Sequence, residues 1–298
     1  MILLVTGAWQ DAKNHIPELE KMGHEVIFQQ YEKDPLPCPA EIIEGIICNG
    51  LFLDHKIEQF VNLRYIQLTS AGYDRVPVDY IRAKKIEIHN ARGVYSVPMA
   101  EYALCGVLVL YKNMRQFLKQ QETHVWQKQR NLMELAGSTV MIFGCGSVGR
   151  ECARVFKAVG CRTIGVDICL IQSSHFSAVE DMVQADRLIG QADVIISALP
   201  LVADTHHYFN ERRFSLFKRD GIFVNISRGG VVSTTALINA LETKKIRGAV
   251  LDVFEEEPLD ESEKLWEFEN VILTPHNSFL GNHNQERLWE VIKKNIDK

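Results

Sequence analysis

The chain is 298 residues long, room for two hydrophobic cores, and has 46% hydrophobic and 24% charged residues with no low-complexity tract. Its formal net charge of −5 argues against nucleic acid or an anionic membrane as the main partner. The longest apolar stretch, YALCGVLVLY at 102–111, is about half of what a membrane span requires. The opening MILLVTGAWQDAK has no basic residue before Lys13 and too short an apolar run for a secretory signal, so a soluble cytoplasmic protein is expected. The seven cysteines are scattered and mostly set in apolar surroundings such as GIICNG, without CxxC spacing, which reads as buried thiols in a reducing compartment. The histidines fall far apart or, at His206 and His207, directly adjacent, where the side chains are expected to diverge. No metal site is expected.

In chain order, short apolar runs alternate with amphipathic stretches, the pattern of an α/β protein with a largely parallel sheet. MILLVTG reads as a strand, KNHIPELEKMG as a helix closed by Gly23, and HEVIF as a strand. Three prolines make PLPCPA at 35–40 a loop. GIICNG, LRYIQLTSAG and IEIHNARG are further strands, each ending in small or turn-forming residues. Residues 97 to about 120 read as one long helix with a proline near its first turn. A second, more regular α/β series follows. The domain boundary is therefore expected near residue 95, with the long helix in the second domain. The last segment, NSFLGNHNQERLWEVIKKNIDK, reads as a helix with apolar Leu288, Val291, Ile292 and Ile296, and is expected to cross back onto the first domain.

STVMIFGCGSVGRECARVFKAVGCRTIGVD, residues 138–167, carries Gly144, Gly146 and Gly149 in GxGxxG spacing. A bare GxGxxG is weak evidence. Here the strand TVMIF leads in, and Val148, Cys152, Val155, Phe156 and Val159 form one apolar stripe on a following helix. A second strand ends in Asp167, 18 residues after Gly149 (167 − 149). In a dinucleotide site Gly144 allows the tight turn, Gly146 the approach of a pyrophosphate, and Gly149 close packing of helix on strand. Ser147 and Val148 open the helix whose N–H groups hold the phosphates. Asp167 suits the ribose hydroxyls and repels a 2′-phosphate, and no basic residue follows in DICLIQSS, so NAD is favoured over NADP. The alternative is a glycine turn with an incidental aspartate.

In open parallel sheets ligands bind beyond the carboxyl ends of the strands. DVIISALP ends in Leu199 and Pro200 with Thr205 close behind, and GIFVNISRGG ends in Ile226, Ser227 and Arg228. RGAVLDVFEEEPL ends in Asp252 and runs on to Glu257, and NVILTPH ends in His276. Each alone has a bland reading: a surface arginine, an acidic solvated loop, a turn-closing aspartate, a loop histidine. Together, after separate strands beside one nucleotide site, they form a constellation. Arginine is the carboxylate binder, histidine the acid/base, and a carboxylate the group that orients the histidine.

Over essentially its full length the chain resembles the D-isomer-specific 2-hydroxyacid dehydrogenase family. The resemblance rests on FGCGSVG, NISRGG, LDVFEEEPL and LTPHNSF in the family's order, with LTSAGYD and NARGVYSVPMAEYAL in the first part. It implies a catalytic Arg228, Glu257 and His276, a substrate-carboxylate loop at Ser70, Ala71 and Gly72, and a homodimer through residues near 97–130. It departs from the pattern at Tyr73, where many members carry a smaller aliphatic residue. The expected fold is α/β with two doubly wound parallel-sheet domains. One is a Rossmann NAD-binding domain over 96–275; the other is a smaller, discontinuous, flavodoxin-like substrate domain over 1–95 and 276–298. Gly144, Gly146, Ser147, Val148, Gly149, Asp167, Leu199, Pro200, Thr205, Ile226, Ser227 and Asp252 are the expected NAD contacts, Asp252 through the nicotinamide carboxamide. The expected activity is hydride transfer between NAD(H) and a small 2-hydroxy or 2-oxo acid. Two alternatives stay open: a non-catalytic NAD-sensing scaffold, and another NAD-dependent reaction such as formate oxidation.

Overall fold

The computed structural model describes residues 1–297. The chain falls into two compact units, Met1–Tyr95 with the segment from Gly281 onward, and Ser96–Leu280. The first unit opens with β1 (Ile2–Thr6), α1 (Ala12–Lys21), β2 (Glu25–Gln29), β3 (Gly45–Cys48) and α2 (Leu51–Asp54). It continues with β4 (Tyr65–Leu68), α3 (Val78–Ala83) and β5 (Glu87–His89). All its strand pairs are parallel, in the order β2-β1-β3-β4-β5, the flavodoxin-like doubly wound order.

The second unit begins with α4 (Ser96–Tyr111) and α5 (Met114–Glu122), then β6 (Thr139–Phe143), α6 (Ser147–Ala158), β7 (Arg162–Asp167), β8 (Ala178–Asp181) and α7 (Ala185–Leu188). It closes with β9 (Val194–Ser197), α8 (Glu211–Phe214), β10 (Ile222–Asn225), α9 (Thr234–Glu242), β11 (Gly248–Leu251) and β12 (Val271–Leu273). Its seven parallel strands run β12-β11-β10-β9-β6-β7-β8, and the strand order reverses between β6 and β9, the switch point where such sheets bind ligands. β9, β10 and β11 are buried at every residue. Helices on both faces require unbroken apolar strands in place of alternation, which is why VIIS, IFVN and GAVL carry so little charge.

In the second unit, α4–α5 and β8 differ from the sequence pattern, and in the first unit the short helices α2 and α3 add to it. The single helix expected over 97–120 is two, because Asn113 adopts a left-handed backbone at φ +52 that ends α4 and restarts the chain as α5. β8 has no counterpart in the sequence pattern. It is a short edge strand on β7, half-exposed at each of its residues, so its sequence AVED carries no apolar pattern.

α4 packs on β11 and runs antiparallel to it. A Cβ added at Gly106 would come within 2.5 Å of Val250, and Leu110 reaches to 3.4 Å from the equivalent position on Gly248. Four helical residues rise about 6 Å, close to the rise of two strand residues. Tyr102, four residues before Gly106, lies toward the carboxyl end of β11, where its hydroxyl meets Thr274, the partner of Asp252. Ala100, Ala103, Val107 and Tyr111 share this core with Cys152, Ala153 and Phe156 of α6. Among the described residues no helix is long and apolar enough to cross a membrane.

The last helix, α10 (Asn284–Ile296), belongs to the first unit. Leu288, Trp289, Ile292 and Ile296 form one face, buried with Leu3, Val5, Trp9 and Ile47, while Val291 is only partly covered.

Candidate active site

Gly144 ends β6 with φ +90, and an added Cβ would lie 2.6 Å from the Ala198 carbonyl oxygen. At Gly149 an added Cβ would come 1.9 Å from the Gly144 oxygen, so helix and strand meet only through glycine. At Gly146 an added Cβ would meet no protein atom within 4 Å. The protein's own packing therefore demands the outer two glycines and not the middle one, which keeps clear the space before the N-terminus of α6. That helix begins without a side-chain cap, so the first-turn N–H groups of Ser147, Val148 and Gly149 face outward as donors. This donor set fits the pyrophosphate of a dinucleotide. Asp167 at the end of β7 accepts from the Cys145 N–H at 2.6 Å and the Cys169 N–H at 3.0 Å, which anchors its carboxylate beside the glycine turn. Burial, and then the Asp167 charge, pushes the Cys145 thiol up to about 12, so it stays protonated and is no nucleophile.

Strand register levels the remaining residues. Phe143, Ser197, Asn225, Leu251 and Leu273 pair in sequence across β6, β9, β10, β11 and β12, forming one row. Arg228 and His276 are each the third residue beyond that row. Leu199 is buried, and the Thr205 hydroxyl donates to the Pro200 oxygen at 2.6 Å while accepting the Val202 N–H at 2.8 Å, closing the loop after β9. Ile226 and Ser227 turn their side chains inward. The Ser227 hydroxyl donates to Asn225 at 2.8 Å.

Arg228 has extended backbone and anchors one guanidinium nitrogen, Nη1, on the Ser227 oxygen at 2.8 Å. At the next residue, Gly229, an added Cβ would fall 1.8 Å from the Phe254 carbonyl, so the loops after β10 and β11 touch backbone to backbone. The Phe254 N–H in turn donates to Glu257 Oε1 at 3.0 Å, and Glu257 Oε2 lies 2.8 Å from His276 Nδ1. Glu257 thereby ties the loop after β11 to the loop after β12. Its bond to Nδ1 leaves His276 Nε2 without a protein partner among the described residues.

His276 itself sits at φ +54, a left-handed conformation costing about 1 kcal/mol or more for a residue with a side chain. Asp252 holds it there. Fully buried, Asp252 accepts the His276 N–H on its carbonyl at 2.9 Å. Its carboxylate accepts the Thr274 hydroxyl at 2.6 Å, the Asn277 N–H at 2.8 Å and the Ser278 N–H at 2.9 Å. The sequence reading aims this carboxylate at a cofactor amide; its bonds in the structure run to the histidine's own turn. Thr274 and its partner Tyr102, hydroxyl to hydroxyl at 2.5 Å, have no counterpart in that reading. They lie 172 residues apart in the chain, beyond any local signal.

Ser70, Ala71 and Gly72 belong to the other unit, where they follow β4. The Ser70 oxygen accepts from the Ala91 N–H at 2.8 Å, Ala71 from Asn90 Nδ2 at 2.6 Å and Gly72 from the Ser70 hydroxyl at 3.1 Å. The carbonyls are thus engaged, while the three N–H groups have no acceptor among the described residues. Such a run of bare donors at a sheet's carboxyl edge suits an anion.

One local expectation is overturned. The rings of His206 and His207 do not diverge but stack, with centroids 3.9 Å apart. His207 has φ +48, which turns its side chain back over its neighbour, and Glu255 holds the ring there. Among the described residues no group of three or more His, Cys, Asp or Glu side chains could hold a metal ion.

Comparison with known proteins supplies the family. The profile of the D-isomer specific 2-hydroxyacid dehydrogenase NAD binding domain matches residues 104–278. A D-3-phosphoglycerate dehydrogenase of Methanocaldococcus jannaschii is 31% identical over 81% of this chain, which spans about half (46%) of that relative. A glyoxylate reductase of Pyrococcus furiosus is 28% identical over 95% of this chain and 88% of its own length. A crystal structure of a D-isomer specific 2-hydroxyacid dehydrogenase family protein from Aeromonas salmonicida superimposes with a TM-score of 0.83, at 28% identity, over 99% of this chain and 94% of that one. The chain belongs to the D-isomer specific 2-hydroxyacid dehydrogenase family, oxidoreductases that act on 2-hydroxy acids with a nicotinamide dinucleotide.

Proposed function

We propose that the protein interconverts a small 2-oxo acid and its 2-hydroxy acid with NAD(H), using Arg228, Glu257 and His276. The observation that carries this reading is the 2.8 Å bond between Glu257 Oε2 and His276 Nδ1, which leaves Nε2 available. When bound, the cofactor supplies or accepts the hydride. His276 Nε2 gives a proton to the carbonyl oxygen in reduction and takes it back in oxidation. Glu257 keeps the proton on Nδ1 and offsets the imidazolium charge. The planar fork of Arg228 suits a substrate carboxylate and the neighbouring carbonyl oxygen. The free N–H groups of Ser70, Ala71 and Gly72 suit a carboxylate as well.

Gly144, Gly146, Ser147, Val148 and Gly149 would hold the cofactor's pyrophosphate, and Asp167 its ribose hydroxyls. The backbones of Leu199, Pro200, Thr205, Ile226 and Ser227 would line the remainder, with Asp252 underlying the reacting end. The charge of Asp167 favours NAD over NADP. Exposed Trp126, Leu118, Met114 and Leu132, on and after α5, support a homodimer through residues near 97–130. Seven free thiols, four of them buried, suit a reducing cytoplasm.

The reading is tested by following NADH oxidation with 2-oxo acids for the wild type and His276→Ala. A loss of roughly a hundredfold or more with NADH affinity retained is expected. Equal rates would reject His276 as the acid.

A further inference from the structure

The turn carrying His276 is supported from below by a chain of hydroxyls that starts on α4. Asp252 accepts the Thr274 hydroxyl proton at 2.6 Å, so the Thr274 oxygen is left to accept, and the group 2.5 Å away is the Tyr102 hydroxyl. Direction follows from this. Tyr102 donates to Thr274, Thr274 to Asp252, and the Asp252 carboxylate receives the N–H groups of Asn277 and Ser278 on the far side of His276. From this chain of bonds we infer that Tyr102 is a positioning residue for the proposed reaction, fixing His276 through Thr274 and Asp252 from a helix packed closely on β11 at Gly106.

Three observations make this more than an incidental contact. First, the His276 turn is left-handed and must be held by its surroundings. Its tether, the Asp252 carboxylate, is fully buried, where a carboxylate short of donors is costly. Second, Gly106 lets α4 press onto Val250, one helical turn from Tyr102, so the helix that carries the hydroxyl is packed directly on the strand that leads into Asp252. Third, burial raises the Tyr102 hydroxyl above its ordinary range, so it remains a donor throughout the working pH range. The inference rests on the reading of His276 as the acid, but the chain of bonds can be tested without it.

Two measurements separate the questions. In the protein without added ligand, hydrogen exchange at the Asn277 and Ser278 amides reports on the tether. Tyr102→Phe and Thr274→Val should each speed it several-fold while β6 and β10 amides stay unchanged, and Thr274→Ser, which keeps the hydroxyl, should restore wild-type exchange. In steady-state reduction of a 2-oxo acid, Tyr102→Phe and Thr274→Val should each lower kcat roughly tenfold, with little change in the KM for NADH. The double variant should be no worse than the weaker single one, because both break one chain. Unchanged exchange in Tyr102→Phe overturns the inference. So does faster exchange with unaltered kcat, which would make the chain merely structural, and so do effects that multiply in the double variant. Failure of the functional reading looks different: the wild type itself would reduce no 2-oxo acid, whatever the exchange pattern.

Discussion

His276 is held in a backbone conformation that a residue with a side chain adopts only under constraint, and the constraint comes from the fully buried Asp252. Arg228→Lys should raise the KM for the 2-oxo acid more than it changes NADH affinity, since an ammonium cannot reproduce a two-pronged contact; steady-state kinetics separates the two. At the fingerprint, Asp167→Ala should narrow the preference for NADH over NADPH, measured as the ratio of kcat/KM values, by removing a charge that repels a 2′-phosphate. Comparable efficiency with both cofactors in the wild type would sink that assignment. A third residue acts on stability alone. His24 has a buried Nδ1 with no partner among the described residues, and burial, then the N-terminal ammonium, depress its pKa from 6.5, while Asp297 opposes them. A depressed histidine favours the neutral form in the folded state. Its contribution is therefore complete above about pH 6.5 and is lost as pH falls from there toward the folded pKa. His24→Leu should make the urea midpoint vary less between about pH 7.5 and pH 5.5, as chemical denaturation would detect. At this scale the candidate acid was legible because LTPHNSF closes a strand. The tether beneath it was not, because Tyr102 and Thr274 meet only through the fold.

At the scale of elements, glycines decide which surfaces approach. Gly149→Ala would set a methyl 1.9 Å from the Gly144 oxygen, and backbone there cannot swing aside as a side chain can. The expected result is a loss of about 3 kcal/mol in chemical denaturation, together with weakened NADH binding in a fluorescence titration. Wild-type stability and affinity would contradict the packing account of α6 on β6. The central strands were readable from sequence because burial on both faces demands continuous apolar runs, and IFVN and VIIS obey it. β8 was unreadable for the converse reason. The α4–α5 break is not legible in the sequence because a left-handed Asn113 leaves the apolar periodicity on either side intact. Residues 276–280, assigned from the sequence to the first domain, remain with the second unit in the structure. The bonds of Asp252 to Asn277 and Ser278 keep them there.

For the molecule as a whole, the apolar surface around α5 calls for a cover. Trp126 is 99% exposed and Leu118 53% exposed. If these residues lie in a dimer interface, light scattering at about micromolar concentration should report twice the 33.9 kDa chain mass, and Leu118→Glu with Trp126→Glu should lower it. A monomeric wild type would refute the assembly. The central claim is that this chain reduces 2-oxo acids with NADH, and the most direct test is steady-state NADH oxidation by the purified protein against a panel of short, long, aromatic and phosphorylated 2-oxo acids. The account predicts turnover with at least one of them, retained by Thr274→Ser and reduced roughly a hundredfold or more by His276→Ala. Tight NADH binding with no turnover on any member of the panel would contradict it.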